Sequence, residues 1–373
     1  MKRIFPFYPP LTTSIFAALI SLVSAASSYR RGGGFFFRRG GAGQLSPAAP
    51  LSATLSPDDQ VPTIDVAPLF NEDAAAEERR ECVDAIGRAC ERFGFFNMVN
   101  HPIDRELMAA LKEEMVAFFA QPKHIKMRIK RNSETSRGWF DDELTKQKMD
   151  WKEGLDLGKS NGRWEGSTLD GYNQFTESER FNDLLKAYYG QMERIASKLI
   201  EALATHMGVA DPSSLAPLFA KHSSLLRLNY FPPCPDCDEY LGVSHHTDGC
   251  AITLLLQEVP GLQVWLRDKQ QWVDVQPVKD ALTVNVGDVM QIWSNDRYPA
   301  ALHRVQANPS RERYSIPFFF SPQYDAIIAP LPAGQQPRYR PFRWGEFRAD
   351  RIKGDYVDLG EEAQVDRYRR TEA

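Results

Sequence analysis

The sequence predicts an α+β protein in which an N-terminal helical scaffold packs against a jelly-roll barrel of short strands. Before residue 215, apolar residues recur at three- and four-residue steps, which is typical of amphipathic helices. After Leu225 the pattern changes to short β-rich runs separated by turn residues, and evenly spaced short strands indicate a sandwich or barrel. The 373 residues are 43% hydrophobic and 25% charged, a composition typical of globular proteins with a sizeable core.

Three helices are predicted before the barrel, over residues 74–93, 104–119 and 176–208. Asp104 is expected to cap the second of them, because an aspartate can accept hydrogen bonds from the first free N–H groups of a helix. A short strand at residues 61–65 and an apolar strand at residues 93–101 are predicted on either side of the first helix. In the barrel, strands are predicted at residues 225–230, 251–256, 262–266, 272–275, 282–286, 289–293, 302–306 and 314–320.

These patterns divide the chain into four parts. We expect a targeting segment and linker over residues 1–57 and an N-terminal helical region over residues 58–215. The jelly-roll domain is expected over residues 216–325, and a C-terminal extension that packs on the core over residues 326–373. The sequence contains no internal repeat at the spacing of solenoids or propellers.

The first 57 residues differ from the rest of the chain in charge. They contain six basic residues and none of the 49 acidic residues of the protein. Lys2 and Arg3 precede an apolar run at residues 15–23 and small residues after it, the order of a secretory signal, and the run is too short to span a membrane. An acid-free, arginine-containing stretch similar to a transit peptide follows. We expect the secretory pathway or a plastid as the destination, with mitochondrial import open, and the cytoplasm if the segment has no targeting function.

Charge and cysteine content argue against several classes of protein. A net charge of −4 gives no reason to expect a nucleic-acid partner. Five cysteines are too few, and odd in number, for a disulfide framework. Cys234 and Cys237 have the CxxC spacing, but no second pair or nearby histidine pair completes a zinc site, so we interpret them as loop cysteines.

A metal-binding pattern lies at residues 244–249, which read SHHTDG. His246 and Asp248 are two residues apart, so on a strand they point to the same side, whereas His245 points away. His303, on a later predicted strand, is a third candidate ligand. Two imidazoles and one carboxylate leave one face of an octahedral ion open, which suits iron(II), dioxygen and a bidentate keto acid better than structural zinc. For the HxD motif by itself, a histidine satisfied in the core is the alternative.

Arg313 and Ser315 form a second pattern, again two residues apart and therefore on one face of a strand. A guanidinium can grip a carboxylate through two hydrogen bonds, and a nearby hydroxyl can add a third. The pair could hold the far carboxylate of a C5 dicarboxylic keto acid, or Arg313 could pair with a surface glutamate. The presence of the HxD motif and His303 favours the first interpretation.

Together these motifs resemble the plant-type 2-oxoglutarate- and iron(II)-dependent dioxygenases, which are similar in fold to isopenicillin N synthase. The resemblance extends over nearly all of residues 61–370. It rests on the segments ACERFGFF at residues 89–96, VNH at 99–101, RLNYFPPCP at 227–235, PGLQV at 260–264, NVGD at 285–288 and SN at 294–295.

The resemblance implies a double-stranded β-helix (jelly-roll) core and an oxidoreductase of the dioxygenase class. A small organic molecule would be oxidised, with hydroxylation as the expected reaction and succinate and carbon dioxide as coproducts. Iron(II), 2-oxoglutarate and dioxygen are the implied cofactor and co-substrates, with ascorbate as an addition and secondary metabolism as the setting. The implied iron ligands are His246, Asp248 and His303, and the implied 2-oxoglutarate contacts are Arg313, Ser315 and Asn229.

One position departs from the family pattern. The family often has a tyrosine, whose hydroxyl helps to bind the keto acid, where this sequence has Phe231. The loss of one hydrogen bond is expected to weaken that binding by about 1 kcal/mol. Weaker binding, and not loss of activity, is the implication.

Two other functions are compatible with the same motifs. An oxidase similar to isopenicillin N synthase or aminocyclopropane-carboxylate oxidase would share the metal ligands and the clamp, use no 2-oxoglutarate and form no succinate. A non-catalytic metal-binding jelly-roll protein would bind the ion without consuming dioxygen. The substrate and the oligomeric state stay open.

Several further residues are interpreted as structural. Residues 137–140 and 150–153 precede the barrel, where the family forms part of its substrate entrance; we expect them to be structural, with a substrate role as the alternative. Four aromatic residues are expected in the core, with a place in the cavity lining as the alternative. They are Phe231, Trp293, Phe318 and Phe320.

Overall fold

The computed structural model describes residues 59–145, 148–235, 240–331, 334–356 and 364–370. The predicted targeting segment and Cys237 lie outside these residues. In the described part of the chain, no helix is both long enough and apolar enough to cross a membrane.

The N-terminal region alternates helices with short strands. Its elements are β1 (Thr63–Asp65), α1 (Ala67–Phe70), α2 (Ala76–Arg92), β2 (Phe95–Val99), α3 (Arg105–Phe119), α4 (Lys123–Lys126), β3 (Gly138–Phe140), β4 (Leu144–Thr145), β5 (Lys148–Met149), β6 (Glu153–Gly158) and α5 (Glu179–Met207). The three predicted helices are confirmed as α2, α3 and α5. The carboxylate of Asp104 accepts hydrogen bonds from the N–H groups of Glu106 and Leu107 and caps α3 as predicted.

The C-terminal region contains the barrel strands and two helices. Its elements are β7 (Leu225–Phe231), β8 (Leu241–His246), β9 (Ile252–Gln257), β10 (Leu262–Leu266), β11 (Gln271–Asp274), β12 (Leu282–Val286), α6 (Asp288–Trp293), β13 (His303–Gln306), β14 (Arg313–Phe320), β15 (Ile327–Ile328), β16 (Phe342–Arg343) and α7 (Trp344–Tyr356). Short 3-10 segments lie at Met127–Ile129, Pro212–Phe219 and Val365–Tyr368.

The long helix α5 is positioned by its ends and by one apolar face. The Ser178 hydroxyl accepts a hydrogen bond from the N–H of Phe181 at the start, and Gly208, with φ of 80°, ends the helix in the left-handed conformation that glycine adopts without strain. Leu185, Met192 and Leu199 are fully buried along its length, and burial of each such side chain contributes about 1.5–3 kcal/mol. The helix therefore supports the sheet that carries the barrel.

Two sheets form the jelly roll. The major sheet has eight strands in the order β1-β2-β12-β9-β14-β7-β6-β3, and the minor sheet has four in the order β11-β10-β13-β8. Apolar side chains from both sheets, among them Phe231, Leu255 and Val264, meet in one cluster between them. Strands from the N-terminal region complete the major sheet, so the two regions share one structural layer, and the sequence-based domain boundaries stay a prediction.

Side chains alternate along the central strands of the major sheet, so its two faces differ in chemistry. On β14, Ile316 and Phe318 belong to the core shared with the helices, whereas Arg313 and Ser315 line the interior of the barrel. Strands β7, β9 and β12 follow the same period of two. The residues that these strands contribute to the helix-side core are Leu226, Leu228, Ile252, Leu254, Leu282 and Val284.

The structure corrects the prediction for the barrel region at residues 289–293 and at β8. Residues 289–293 are predicted as a strand but form helix α6, because a short continuous apolar run fits a buried helix as well as a buried strand. Strand β8 is absent from the predicted set, and it ends at His246. Asp248 therefore follows the strand instead of lying on it, and the HxD pair is placed by a turn as well as by strand alternation.

Candidate active site

His246, Asp248 and His303 come together at the open end of β8 and β13. Residues His246 and His303 are cross-strand partners in the antiparallel pair of these strands. Asp248 Oδ1 lies 3.5 Å from His246 Nε2 and 3.6 Å from His303 Nε2. One potential ligand atom from each of the three residues lies within 4.8 Å of the other two, so the predicted triad converges on one point.

Backbone carbonyl groups orient both imidazoles. His246 Nδ1 donates to the carbonyl of Ser244 at 2.8 Å, and His303 Nδ1 donates to the carbonyl of Ala301 at 2.9 Å. A carbonyl can only accept, so each Nδ1 carries the proton and each Nε2 keeps its lone pair. Burial, together with the neighbouring His246, lowers the pKa of His303 to about 4, which keeps this ring neutral near pH 7.

Two polar side chains fix the carboxylate of Asp248. Its Oδ2 atom accepts hydrogen bonds from Thr253 Oγ1 at 2.5 Å and from Asn285 Nδ2 at 2.8 Å. Burial by itself would raise the pKa of Asp248, but His303, His246 and the hydrogen bond from Asn285 hold it well below its usual range. The aspartate is therefore ionised, with Oδ2 engaged and Oδ1 directed towards the imidazoles.

The loop that carries Asp248 is held from two sides. The N–H of Asp288 donates to the carbonyl of Asp248 at 2.8 Å. A Cβ atom at Gly287 would lie 2.7 Å from the same carbonyl oxygen, so only glycine allows this close approach. On the other side, Arg351 Nη2 of helix α7 donates to the carbonyl of Thr247 at 3.0 Å. The NVGD motif and the C-terminal helix thus both support the ligand loop.

Arg313 is a buried cation on the cavity wall. Only 3% of the residue is exposed, and it donates hydrogen bonds to Gln257 Oε1 at 2.9 Å, the Val259 carbonyl at 3.2 Å and Ser315 Oγ at 3.2 Å. Among the described residues it forms no ion pair with a carboxylate. Burial lowers its pKa to about 10, so it is still charged near neutral pH. A buried guanidinium without a counter-charge is costly unless an anion binds there.

Asn229 and Phe231 lie opposite the clamp. In the register of β7 and β14, Ser315 pairs with Asn229 and Arg313 with Phe231. Asn229 Nδ2 donates to Ser315 Oγ at 3.4 Å, and its Oδ1 atom is buried without a hydrogen-bond partner. The Phe231 ring centre lies 4.9 Å from the Arg313 guanidinium carbon. The clamp therefore has a cation, a hydroxyl and an unsatisfied amide oxygen, but no phenol.

One cavity contains both groups of residues. Its lining includes the three predicted metal ligands together with Arg313, Ser315 and Asn229. Two neutral imidazoles and one ionised carboxylate form the donor set that suits iron(II) with one face open, and the unpaired Arg313 beside it suits a dicarboxylic acid. The residues present therefore fit iron(II) and a keto acid together.

The structure also places the residues interpreted as structural. Trp293, Phe318 and Phe320 belong to the helix-side core, as expected, whereas Phe231 lines the cavity. Arg137 is fully buried and donates to the carbonyl of Gly158 and to Ser160 Oγ, which is a structural role.

Lys152 differs from the prediction, and the interpretation of the CxxC pair stays a prediction. Lys152, from the second motif interpreted as structural, lines the cavity, so for this residue the structural interpretation is incomplete. Cys234 is buried and free; its CxxC partner lies outside the described residues.

The sequence interpretation missed three residues that support the site. Thr253 and Asn285 hold Asp248, and Gln257 orients Arg313. Asn285 and Thr253 occupy barrel-facing positions of strands whose alternate residues are apolar. A polar side chain at an inward position of a buried strand is the signal that could have identified them.

Comparison with known proteins agrees with this geometry. Residues 222–322 match the 2OG-Fe(II) oxygenase superfamily, and residues 61–178 match the N-terminal region of non-haem dioxygenases in morphine synthesis. Gibberellin 2-beta-dioxygenase 8 of Arabidopsis thaliana is 32% identical over 83% of this chain and 87% of its own length. The 2-oxoglutarate-Fe(II) type oxidoreductase hxnY of Emericella nidulans is 36% identical over 79% of this chain and 89% of its own length.

A solved structure gives the same result. JOX2 in complex with 2OG, Fe and JA superimposes with a TM-score of 0.70 at 27% identity, covering 84% of this chain and 90% of that one.

A jelly roll with a two-histidine, one-carboxylate triad defines a class, the mononuclear non-haem iron oxygenases. Within that class, the chain belongs to the 2OG-Fe(II) oxygenase superfamily. It is a 2-oxoglutarate-dependent dioxygenase that oxidises a small molecule and uses iron(II).

The contacts of Asp248 predict that Asn285 sets the affinity for the metal. Replacing Asn285 by alanine frees Oδ2, lets the carboxylate rotate, and should weaken iron(II) binding by about 10- to 100-fold, the usual effect of losing a partner behind a metal ligand. Anaerobic titration of the metal-free protein with iron(II) measures this. Asn182→Ala is the matched control, because Asn182 is also buried and bonds Thr176 outside the cavity lining. Equal iron affinity in both variants would contradict the assignment.

Proposed function

We propose that His246, Asp248 and His303 hold iron(II), and that Arg313, Ser315 and Asn229 hold 2-oxoglutarate beside it. The observation that carries the proposal is the buried Arg313, which has no carboxylate partner in the described structure and lines the same cavity as the triad. A dicarboxylic keto acid that reaches from the metal to Arg313 would compensate the positive charge of Arg313. The donor atoms around the clamp point to the far carboxylate as the group held there.

The bound iron and keto acid supply the activation of dioxygen, with conversion of 2-oxoglutarate to succinate and carbon dioxide. The chain supplies position and exclusion of water. Ser244 and Ala301 fix the two imidazoles through their carbonyl groups, and Thr253 and Asn285 fix the aspartate. Apolar residues of the barrel interior, among them Leu255, shield the keto acid. Hydroxylation of a specialised metabolite is the reaction we propose, with ascorbate as an accessory reductant.

The N-terminal segment is proposed to direct the protein to the secretory pathway or a plastid. Support comes from its basic start, its apolar run and its lack of acidic residues. A fusion of residues 1–57 to a fluorescent protein is expected to leave the cytoplasm, whereas a fusion of the chain from residue 58 is expected to remain there. Cytoplasmic fluorescence from both fusions would overturn the proposal.

The near-balanced net charge of −4 supports a function without nucleic acid.

Arg313→Ala should weaken 2-oxoglutarate binding by about 100-fold, since two charge-assisted hydrogen bonds are lost. The measurement is the visible absorption band of keto acid chelated to iron(II), titrated without oxygen. Arg304→Ala is the control: Arg304 is also a strand arginine, but it bonds Gln263 and stacks on Trp272 outside the clamp. A wild-type protein that binds iron but gives no band, and forms no succinate, would favour the oxidase that uses no 2-oxoglutarate.

Phe231→Tyr should tighten 2-oxoglutarate binding by about fivefold, which corresponds to about 1 kcal/mol for one recovered hydrogen bond. The Phe231 ring lines the cavity beside the guanidinium of Arg313. A hydroxyl added to this ring could therefore donate a hydrogen bond to the carboxylate of the keto acid that Arg313 binds. The same anaerobic titration measures the change. Weaker binding in the tyrosine variant would mean that the aromatic ring, and not a missing hydroxyl, is what this site requires.

A further inference from the structure

The cavity has a charged wall outside the metal site and the clamp. This charged wall consists of Arg131, Glu143, Lys152, Asp156 and Arg227, which line the same cavity as the triad. Four of the five are at least nine-tenths buried, with Lys152 only 8% exposed. Asp156 lies on β6 and Arg227 on β7, Glu143 and Lys152 flank the β4–β5 hairpin, and Arg131 precedes β3. The wall therefore lies near the β7-β6-β3 edge of the major sheet.

Ion pairs hold the charged wall in one arrangement. Lys152 Nζ lies 2.6 Å from Glu143 Oε2 and 3.1 Å from Asp150 Oδ2. Arg227 donates to both carboxylate oxygens of Asp156, at 2.7 Å and 2.8 Å, and lies 3.0 Å from Glu143 Oε2. Each charged group is thereby fixed, and the surface they present to the cavity is preorganised.

The cations face the cavity more than the carboxylates do. Lys152, Arg348 and Arg351 line the cavity, whereas their respective partners Asp150, Asp170 and Asp288 do not. In these three pairs the carboxylate lies outside the lining, whereas Glu143, the nearer partner of Lys152, and Asp156, a partner of Arg227, line the cavity with their cations. Beyond the clamp and the metal ligands, the lining therefore has five cationic residues, Arg131, Lys152, Arg227, Arg348 and Arg351, and two acidic ones, Glu143 and Asp156.

Short contacts connect the charged wall to the metal site. Asp150 Oδ1 accepts a hydrogen bond from the N–H of Ser244 at 3.3 Å, and the carbonyl of Ser244 accepts the hydrogen bond from His246 Nδ1. Lys152 thus contacts a carboxylate that bonds the residue orienting a metal ligand. Lys152 and the triad also line the same cavity, so a molecule bound by Lys152 shares that cavity with the metal site.

A charged wall buried in the cavity is energetically unfavourable unless the ligand that covers it is polar. Buried ion pairs contribute little net stability, and apolar side chains of similar volume often serve a fold better. An apolar substrate would also cover these charges and remove the water that solvates them. Burial by itself would lower the pKa of Lys152, but Glu143 and Asp150 raise it above its ordinary value, so the group facing the cavity is an ammonium ion.

We infer that the substrate is a small polar molecule with a carboxylate group, and that Lys152 binds this carboxylate. The inference rests on the proposed function and names the substrate class of the same site. An ammonium has three N–H groups, and the two acceptors beside Lys152 in the described structure are Glu143 and Asp150. The third N–H serves the substrate, and cationic residues outnumber acidic ones among the residues that line the cavity.

The test compares carboxylic acids with their own amides on the wild-type enzyme loaded with iron(II) and saturating 2-oxoglutarate, without oxygen. The probe pairs are benzoate with benzamide, phenylacetate with phenylacetamide, and cyclohexanecarboxylate with its carboxamide. Substrate-like binding shifts the keto-acid band. At least one acid should shift it with an affinity about tenfold or more above that of its amide, the worth of one charge-assisted hydrogen bond.

Three results would overturn the inference. The amides could bind as tightly as the acids, no acid could shift the band at millimolar concentration, or the acids could bleach the band by displacing 2-oxoglutarate from Arg313. If the band never forms, the proposed function fails. If it forms and the acids show no preference, only the substrate class fails.

Variants of Lys152 test whether this residue causes the preference for acids over amides. Lys152→Met with Glu143→Gln removes a cation and its partner together, and the acid-over-amide ratio should fall about tenfold, whereas Lys152→Arg should keep most of it. The matched control is Lys126→Met with Glu153→Gln, an ion pair of a buried lysine and a partly buried glutamate outside the cavity lining. The control should keep the wild-type ratio. A ratio unchanged in the Lys152 double variant, with its keto-acid band intact, would remove Lys152 from substrate binding.

Discussion

Two charges of opposite sign, Asp248 and Arg313, are buried in one cavity without pairing with each other, and much of the fold keeps them apart. Each is solvated by fixed protein dipoles instead of water. Asp248 accepts hydrogen bonds from Thr253 and Asn285, and Arg313 donates to Gln257 and the Val259 carbonyl. Isolated buried charges cost several kcal/mol, so such a site persists only where packing elsewhere is strong. The iron and the keto acid then complete the charge balance.

The major sheet meets both requirements with the same strands. Along β7, β9, β12 and β14, one set of alternate residues packs against α5 and its neighbouring helices, and the other set faces the barrel interior. Apolar burial on one face thereby offsets the cost of polar residues on the other. A one-residue slip in the register of β14 would exchange Arg313 and Ser315 for Tyr314 and Ile316 and invert both faces. The helical scaffold is for this reason part of the active site's stability.

The charged wall makes a different use of buried charge. The triad and the clamp are proposed to hold iron and 2-oxoglutarate, whereas the other charged residues of the cavity lining come from the segment around the β4–β5 hairpin, from Arg131, Asp156 and Arg227, and from the C-terminal helix α7. Relatives at 30–32% identity have names that refer to gibberellins, a flavonoid and codeine, so membership of the superfamily does not fix the substrate. Selectivity depends on side chains that the strand framework positions but that chemistry at the metal does not require.

The sequence by itself predicted the helices α2, α3 and α5, most of the barrel strands, and all six residues proposed to hold iron and 2-oxoglutarate. These features depend on local periodicity and on short motifs, which are readable along one chain. The helix α6 was predicted wrongly because a buried apolar run has no period that separates helix from strand. Strand β8 was missed beside a metal motif that was itself recognised.

Tertiary structure alone decided which groups complete the site. The hydrogen bonds of Thr253 and Asn285 to Asp248, the contact of Arg351 with the Thr247 carbonyl, and the position of Lys152 on the cavity wall join residues far apart in the chain. No periodic pattern encodes such pairs, because each depends on how sheets and helices pack in three dimensions. The sequence therefore determined which reactive and ligand-binding groups this protein has. The packing of the two sheets with the C-terminal helix decided how those groups are positioned around the cavity.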